Sequence, residues 1–263
     1  MSLDHSWLVM IPARAASTRL PGKALADIGG APMVVRVAQS AQASGASRVI
    51  VATDDIAIAQ VVNRHDISVE LTSPKHPTGT DRLAEVCARL AMPDDTIVVN
   101  VQGDEPLIEP SLITEVAHTL AAHTEASVAT AACPITSAEA LFDPNIVKVV
   151  CDHRYRALYF SRAPIPWARD ALADGGRKLA ANLPAWQHIG LYAYRAGFLR
   201  AFPALPVGRL ETFESLEQLR VLEQGHRIVV HHTHVPPAGG VDTPADLERV
   251  RAYVAANPGL FQR

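Results

Sequence analysis

Apolar side chains fall into short runs separated by longer amphipathic stretches, a pattern that predicts strands alternating with helices. Strand-like Trp7 to Ile11 is followed by a helix from Pro32 to Ala43, a strand from Arg48 to Thr53 and a helix from Asp55 to Arg64. A short strand from Ile67 to Leu71, a helix from Asp81 to Leu90 and a buried strand from Thr96 to Val101 continue the alternation. Strand and helix taken in turn imply a parallel sheet covered by helices.

Beyond Asp104 a helix is expected from Pro110 to Ala122. Val147 to Cys151 and Ala157 to Phe160 then read as short strands with no long helix between them, so the sheet becomes mixed. Asp170 to Pro184 reads as an exposed connection, and Ile189 to Tyr194 as an extended aromatic segment, which together suggest a smaller embedded lobe. Leu210 to Glu223 is helix-like, Arg227 to His231 extended, and Pro244 to Ala255 helical with Thr243 as its cap. Asn257-Pro-Gly ends the last helix, and there is neither an internal repeat nor a low-complexity tract.

With 263 residues and 48% apolar side chains the chain can bury a substantial core, as one large domain. A net charge of -3 gives no reason to expect a nucleic-acid polymer or a membrane surface as partner, although local basic loops can hold small anions. No apolar stretch predicts membrane insertion or a targeting segment. Cys87, Cys133 and Cys151 lack metal-like spacing and read as reduced thiols, which points to the cytoplasm. His226, His231, His232 and His234 lack a complete zinc signature.

The chemistry gathers behind the first strand, where Arg14, Ser17, Thr18, Arg19 and Lys23 place three cations and two hydroxyls around Gly22. Such a loop offsets charge on phosphate oxygens during nucleotidyl transfer, although solvent-facing charges and a polar turn would leave the same residues. It lacks the spacing of a P-loop, and Gly-x-Gly-x-x-Gly is also missing. Gln102-Gly103-Asp104 follows a buried strand and so faces the usual ligand crevice of an α/β sheet. Gln102 suits a base or ribose, Asp104 a metal ion, and Gly103 a close backbone approach. Asp242 precedes a helix, where it either caps or joins Asp104 around a magnesium-triphosphate complex. His76-Pro-Thr-Gly-Thr-Asp-Arg82 forms a second nucleotide-contact loop, with Arg82 its sharpest candidate and a structural role its alternative.

Arg162, stiffened by the prolines of Ala163-Pro-Ile-Pro-Trp167, suits a substrate carboxylate and so an acidic acceptor. Gln187 and His188 add polar contacts, and Tyr192 shares a strand face with Tyr194 as either contact or packing. Glu211, Glu214 and Glu217 lie on one polar stretch that fits either sugar recognition or an ion-paired surface.

From Val9 to Tyr253 the chain resembles the bacterial 3-deoxy-manno-octulosonate (Kdo) cytidylyltransferase family, or CMP-Kdo synthetases. The resemblance rests on Pro12 to Lys23, Gly79-Thr-Asp-Arg82, Val99-Asn-Val-Gln-Gly-Asp-Glu-Pro106, Leu158-Tyr-Phe-Ser-Arg162, Ile165-Pro-Trp167, His188-Ile-Gly-Leu-Tyr192, Leu216-Glu-Gln-Leu-Arg220 and Gly240-Val-Asp-Thr-Pro244. It implies an α/β, Rossmann-like nucleotidyltransferase with a mostly parallel central sheet and a smaller mixed acceptor/dimerisation lobe at about 133–220 within a single 1–263 domain. It also implies transfer of CMP from CTP to Kdo, with pyrophosphate released, Mg²⁺ as cofactor, a homodimer, and a product used in lipopolysaccharide assembly.

Lys23, Arg14, Asp104 and Asp242 are the residues this resemblance makes catalytic, with Asp104 and Asp242 as metal ligands. Arg14, Ser17, Thr18, Arg19, Lys23, Arg82, Gln102 and Asp104 contact nucleotide, while Arg162, Gln187, His188, Tyr192, Glu211, Glu214 and Glu217 contact acceptor. Ala15, Ala24, Pro77-Thr78, Gln187 and Ala193 depart from the family pattern and bear on loop stiffness and acceptor fit. Another acidic sugar, such as a sialic acid, or a nucleotide-sugar binding protein without turnover are the alternatives.

Overall fold

Alternation within the first strand, β1 (Trp7–Ala13), sets the architecture, because its two faces enter different cores. Val9 and Ile11 pack on one side and Leu8 and Met10 on the other. The computed structural model describes residues 6–14, 20–173 and 175–261. After β1 come a small hairpin, β2 (Asp27–Ile28) and β3 (Ala31–Pro32), then α1 (Met33–Ala43), β4 (Arg48–Thr53), α2 (Ile56–Arg64), β5 (Ser68–Leu71), α3 (Gly79–Arg89) and β6 (Ile97–Asn100). These follow the expected alternation closely. Asp55 caps α2 by accepting from Ile58 N–H at 2.9 Å, and Thr78 with Asp81 forms a capping box on α3.

The second half holds α4 (Pro110–Ala122), β7 (Val128–Pro134), α5 (Ala138–Phe142), β8 (Lys148–Cys151), β9 (Ala157–Ser161), β10 (Trp186–Arg195), α6 (Ala196–Ala201), α7 (Arg209–Glu214), α8 (Gln218–Glu223), β11 (Ile228–His232) and α9 (Pro244–Ala256). The sheet runs β11-β7-β10-β6-β1-β4-β5, with β8 and β9 branching from β10. β1, β4, β5 and β6 are mutually parallel, and β11 is parallel to β7. β10 runs against β6, β7 and β8, which makes the sheet mixed. One face carries α1 and α4 through Val34, Val37, Ile113 and Val116, and the other carries α3, α6 and α8 through Leu83, Val86, Leu199 and Leu219.

Two expectations differ from this. β7 and α5 are additional elements, and the helix expected from Leu210 to Glu223 is two helices, α7 and α8. Ser215, between them, adopts a left-handed backbone with φ 52°, and Leu216 N–H bonds back to the Glu211 carbonyl at 3.3 Å, which closes α7.

Chain order creates the crevice. From β1 the chain winds outward to β4 and β5, then returns to the opposite side of β1 as β6, so the loops after β1 and β6 diverge at the same edge. No helix of the described residues is long and apolar enough to cross a membrane.

Candidate active site

A cleft of about 590 Å³ opens at that edge. The loop after β1 supplies Pro12, Ala13, Arg14 and Lys23, the loop after β6 supplies Gln102, Gly103 and Asp104, and the segment before α9 supplies Asp242. Ser17, Thr18 and Arg19 lie outside the described residues. Gly22 takes a left-handed turn with φ 69°, which directs Lys23 inward. Its ammonium donates to Asp104 Oδ2 at 2.6 Å and to Asp242 Oδ1 at 3.2 Å. Asp104 and Asp242 are 138 residues apart in sequence and are joined locally because Val241 N–H donates to the Asp104 carbonyl at 2.8 Å.

Gly103 is required by proximity: a Cβ there would stand 2.7 Å from the Pro12 carbonyl oxygen. That contact draws the loop after β6 against the end of β1. Asp104 and Asp242 form a hard-oxygen pair arranged about one positive charge, a donor set that suits Mg²⁺, which takes few protein ligands and completes its shell with water and phosphate oxygens. Among the described residues no group of three or more histidine, cysteine or acidic side chains converges on a metal position.

His76, Pro77, Thr78, Gly79 and Arg82 form the opposite wall. Arg82 is buried and donates to Asp54 Oδ2 at 2.9 Å and to Thr72 Oγ1. Its guanidinium therefore braces the wall, where a direct grip on nucleotide oxygen was expected. Asp54 was not anticipated as its partner. His76 Nε2 lies 2.5 Å from Glu85 Oε2 on α3.

None of the seven acceptor candidates lines this cleft. They occupy an adjoining cluster tied to it by the first turn of α3, where Gly79 lines the cleft and Thr80 Oγ1 donates to Glu217. Burial raises the Glu217 carboxyl, against the hydrogen bonds from Thr80 and Thr78. Tyr192 stacks on Tyr194 with ring centres 5.9 Å apart and stands 5.4 Å from His188. Burial pushes His188 down to about 3, so the ring is neutral, and Thr130 Oγ1 lies 3.0 Å from its Nε2. Gln187 lies on β10 opposite Cys133 and Lys148.

Glu214, Arg162 and Glu211 are engaged by protein partners, the ion-paired alternative for the two glutamates. Arg162 donates through Nε to the Glu214 carbonyl at 2.7 Å and through Nη1 to the Pro144 carbonyl at 2.9 Å. Glu214 accepts from Ser161 Oγ at 2.6 Å and from Arg162 N–H at 2.9 Å. Burial would raise its carboxyl, but these bonds, with Tyr159 and the Arg162 charge, hold it below the usual range. Glu211 makes a two-pronged pair with Arg220, at 2.8 and 2.5 Å, with only 11% of its side chain exposed. These contacts lock α7 onto β9 and α8.

Lys148 completes the frame: fully buried, it donates to the carbonyls of Asp143, Ile146 and Arg162 at 2.6 to 2.8 Å. Its position inside an apolar strand concealed it in the sequence.

Comparison with known proteins places this arrangement in context. The family model described as cytidylyltransferase matches residues 8–228. A solved structure of a CMP:2-keto-3-deoxy-manno-octonic acid synthetase complexed with CTP is 40% identical, with a TM-score of 0.85 over 96% of this chain and 99% of the other.

Proposed function

The chain belongs to the cytidylyltransferase family, and from that premise we propose that it transfers CMP from CTP to Kdo, releasing pyrophosphate. The observation that carries this reading is the convergence of Lys23, Asp104 and Asp242 in one cleft, in a chain 40% identical to a CMP-Kdo synthetase over 96% of its length.

Arg14 and Lys23 meet the triphosphate and offset the charge that develops as the leaving pyrophosphate separates. The family resemblance gives Ser17, Thr18 and Arg19 a part in the same phosphate contact. Asp104 and Asp242 would hold Mg²⁺, which when bound would supply charge neutralisation at the phosphate oxygens and the leaving group. Gln102 contacts the nucleoside, and Gly103 keeps this loop close to β1. The acceptor's anomeric hydroxyl attacks the α-phosphorus directly, so positioning supplies much of the rate and no covalent enzyme intermediate is needed.

The acceptor meets Gln187, His188, Tyr192 and Glu217, while Arg162, Glu214 and Glu211 hold the lobe in shape. His188, neutral through burial, exchanges hydrogen bonds with hydroxyls without drawing the acceptor carboxylate. A homodimer would cover exposed large apolar side chains such as Leu158, Val207, Leu210 and Phe213, the last 83% exposed. The three free thiols accord with a cytoplasmic enzyme supplying activated sugar for lipopolysaccharide assembly.

The test is mass-resolved product formation from purified protein with Mg²⁺, CTP and Kdo, beside a sialic-acid arm and an arm without acceptor. CMP-Kdo with stoichiometric pyrophosphate is the expected result. Product only with the sialic acid would overturn the acceptor, and no product from folded, nucleotide-bound protein would overturn turnover itself.

A further inference from the structure

The two ends of the nucleotide cleft differ in charge. Lys23, Asp104 and Asp242 gather on the β6 side of β1, whereas His76, Pro77, Thr78 and Gly79 arrive from beyond β4, on the connection from β5 to α3. The triphosphate belongs with Arg14 and Lys23, which line that end, and this leaves the nucleobase to the His76 end. There Arg82 is already engaged by Asp54 and Thr72. His76 carries the one aromatic ring among the described residues lining the cleft.

The hydrogen-bond polarity of that ring is fixed from behind. Glu85 Oε2 receives His76 Nε2 at 2.5 Å and Ser73 N–H at 2.9 Å, and Arg89 donates to the other oxygen. Burial alone would raise the Glu85 carboxyl; the bonds from His76 and Ser73 and the Arg89 charge outweigh it and hold the group below its usual range. An ionised carboxylate only accepts, so Nε2 carries the proton. In the neutral ring Nδ1 is then a bare acceptor, and no protein group among the described residues is bonded to it.

We propose that His76 reads the pyrimidine, its Nδ1 accepting from the 4-amino group of cytosine, and that Glu85 is the positioning residue that fixes this polarity. Uracil carries a carbonyl oxygen in place of the amino group and would set acceptor against acceptor. A site built around one donor rejects the analogue lacking it more strongly than an apolar pocket rejects a change of shape. The inference rests on the CTP-dependent reading above and adds the group that selects CTP over UTP.

Calorimetric affinities of the full chain for CTP, UTP and 2-pyrimidinone ribonucleoside triphosphate, which is CTP without its amino group, test it in the absence of acceptor. The protein should favour CTP over both by at least about tenfold. His76→Phe should reduce the preference for CTP over the pyrimidinone to within about twofold. Glu85→Gln, whose amide can donate to Nε2 and move the ring proton to Nδ1, should shift the CTP:UTP ratio towards UTP by about tenfold. Equal affinity of the unaltered protein for CTP and the pyrimidinone would overturn the proposal, as would an unchanged CTP:UTP ratio in folded His76→Phe. Should that variant not fold, the comparison on the unaltered protein decides alone. Failure of the acceptor assignment would show separately, as nucleotide selectivity without CMP-Kdo.

Discussion

Replacing Gly103 by alanine probes the closest approach in the cleft without touching any charge. The added Cβ would stand 2.7 Å from the Pro12 carbonyl oxygen, with Ile11 Cγ2 and the Pro12 carbonyl carbon both 3.7 Å away. A carbon and a carbonyl oxygen settle at about 3.3 Å or more, so the loop after β6 must retreat from β1 by about half an ångström. The obstacle is backbone in a central strand and cannot rotate aside. Overpacking of this kind costs about 1–3 kcal/mol of stability. Since a misplacement of about 1 Å costs on the order of a hundredfold in rate, half of it should lower kcat about tenfold through displaced Asp104. Pyrophosphate release at saturating CTP and Kdo measures the rate, and thermal unfolding measures the stability. Gly259→Ala, where a Cβ meets nothing within 4 Å, is the control and should behave as the parent. Unaltered kcat and unaltered unfolding in Gly103→Ala would refute the close-contact argument.

Glu211→Ala should destabilise the fold by about 3–5 kcal/mol, because Arg220 would be left buried and unpaired; denaturant unfolding measures it, and loss confined to acceptor KM would contradict a structural role. Lys23→Met should lower kcat by on the order of a hundredfold with CTP affinity reduced as well, read by steady-state kinetics and calorimetry. Thr243 and backbone N–H groups hold the Asp246 carboxyl down to about 2 from 3.8, so its contribution to stability is complete above pH 3.8 and disappears as pH falls towards 2. Asp246→Asn should therefore be less stable than the parent at neutral pH, with the two unfolding midpoints converging in that acid window; a difference independent of pH would contradict the capping assignment.

Where residues act through local geometry, the sequence was a good guide. Pro110, Thr243 and Asp55 mark helix starts that the structure keeps, because capping needs only neighbours in the chain. Gln102 to Asp104 could be placed in a crevice because a buried strand precedes them. β7 was less visible: Val128-Ala-Thr-Ala-Ala-Cys-Pro134 is dominated by alanine, and only its pairing with β10 and β11 selects the extended form. The break at Ser215 was hidden for the same reason, since the sequence across it keeps helical periodicity while Glu214 bonds to Ser161 and Arg162, far along the chain. Arg82 shows what sequence leaves out at the site: its place in the cleft wall was legible, but its bond to Asp54, on a different connection, was not.

The position of β10 bears on how this chain is made. β10 closes the free edge of β6 and joins β7 to the sheet, yet it begins 86 residues after the end of β6. At roughly 10 residues per second a ribosome delivers it about ten seconds after β6. Throughout that interval β6 lacks one neighbour, and β7 lacks both, since β11 is later still. A nascent chain paused before Trp186 therefore presents apolar strand edges that can pair with other chains, and the speed of translation through residues 100–195 sets how long that exposure lasts.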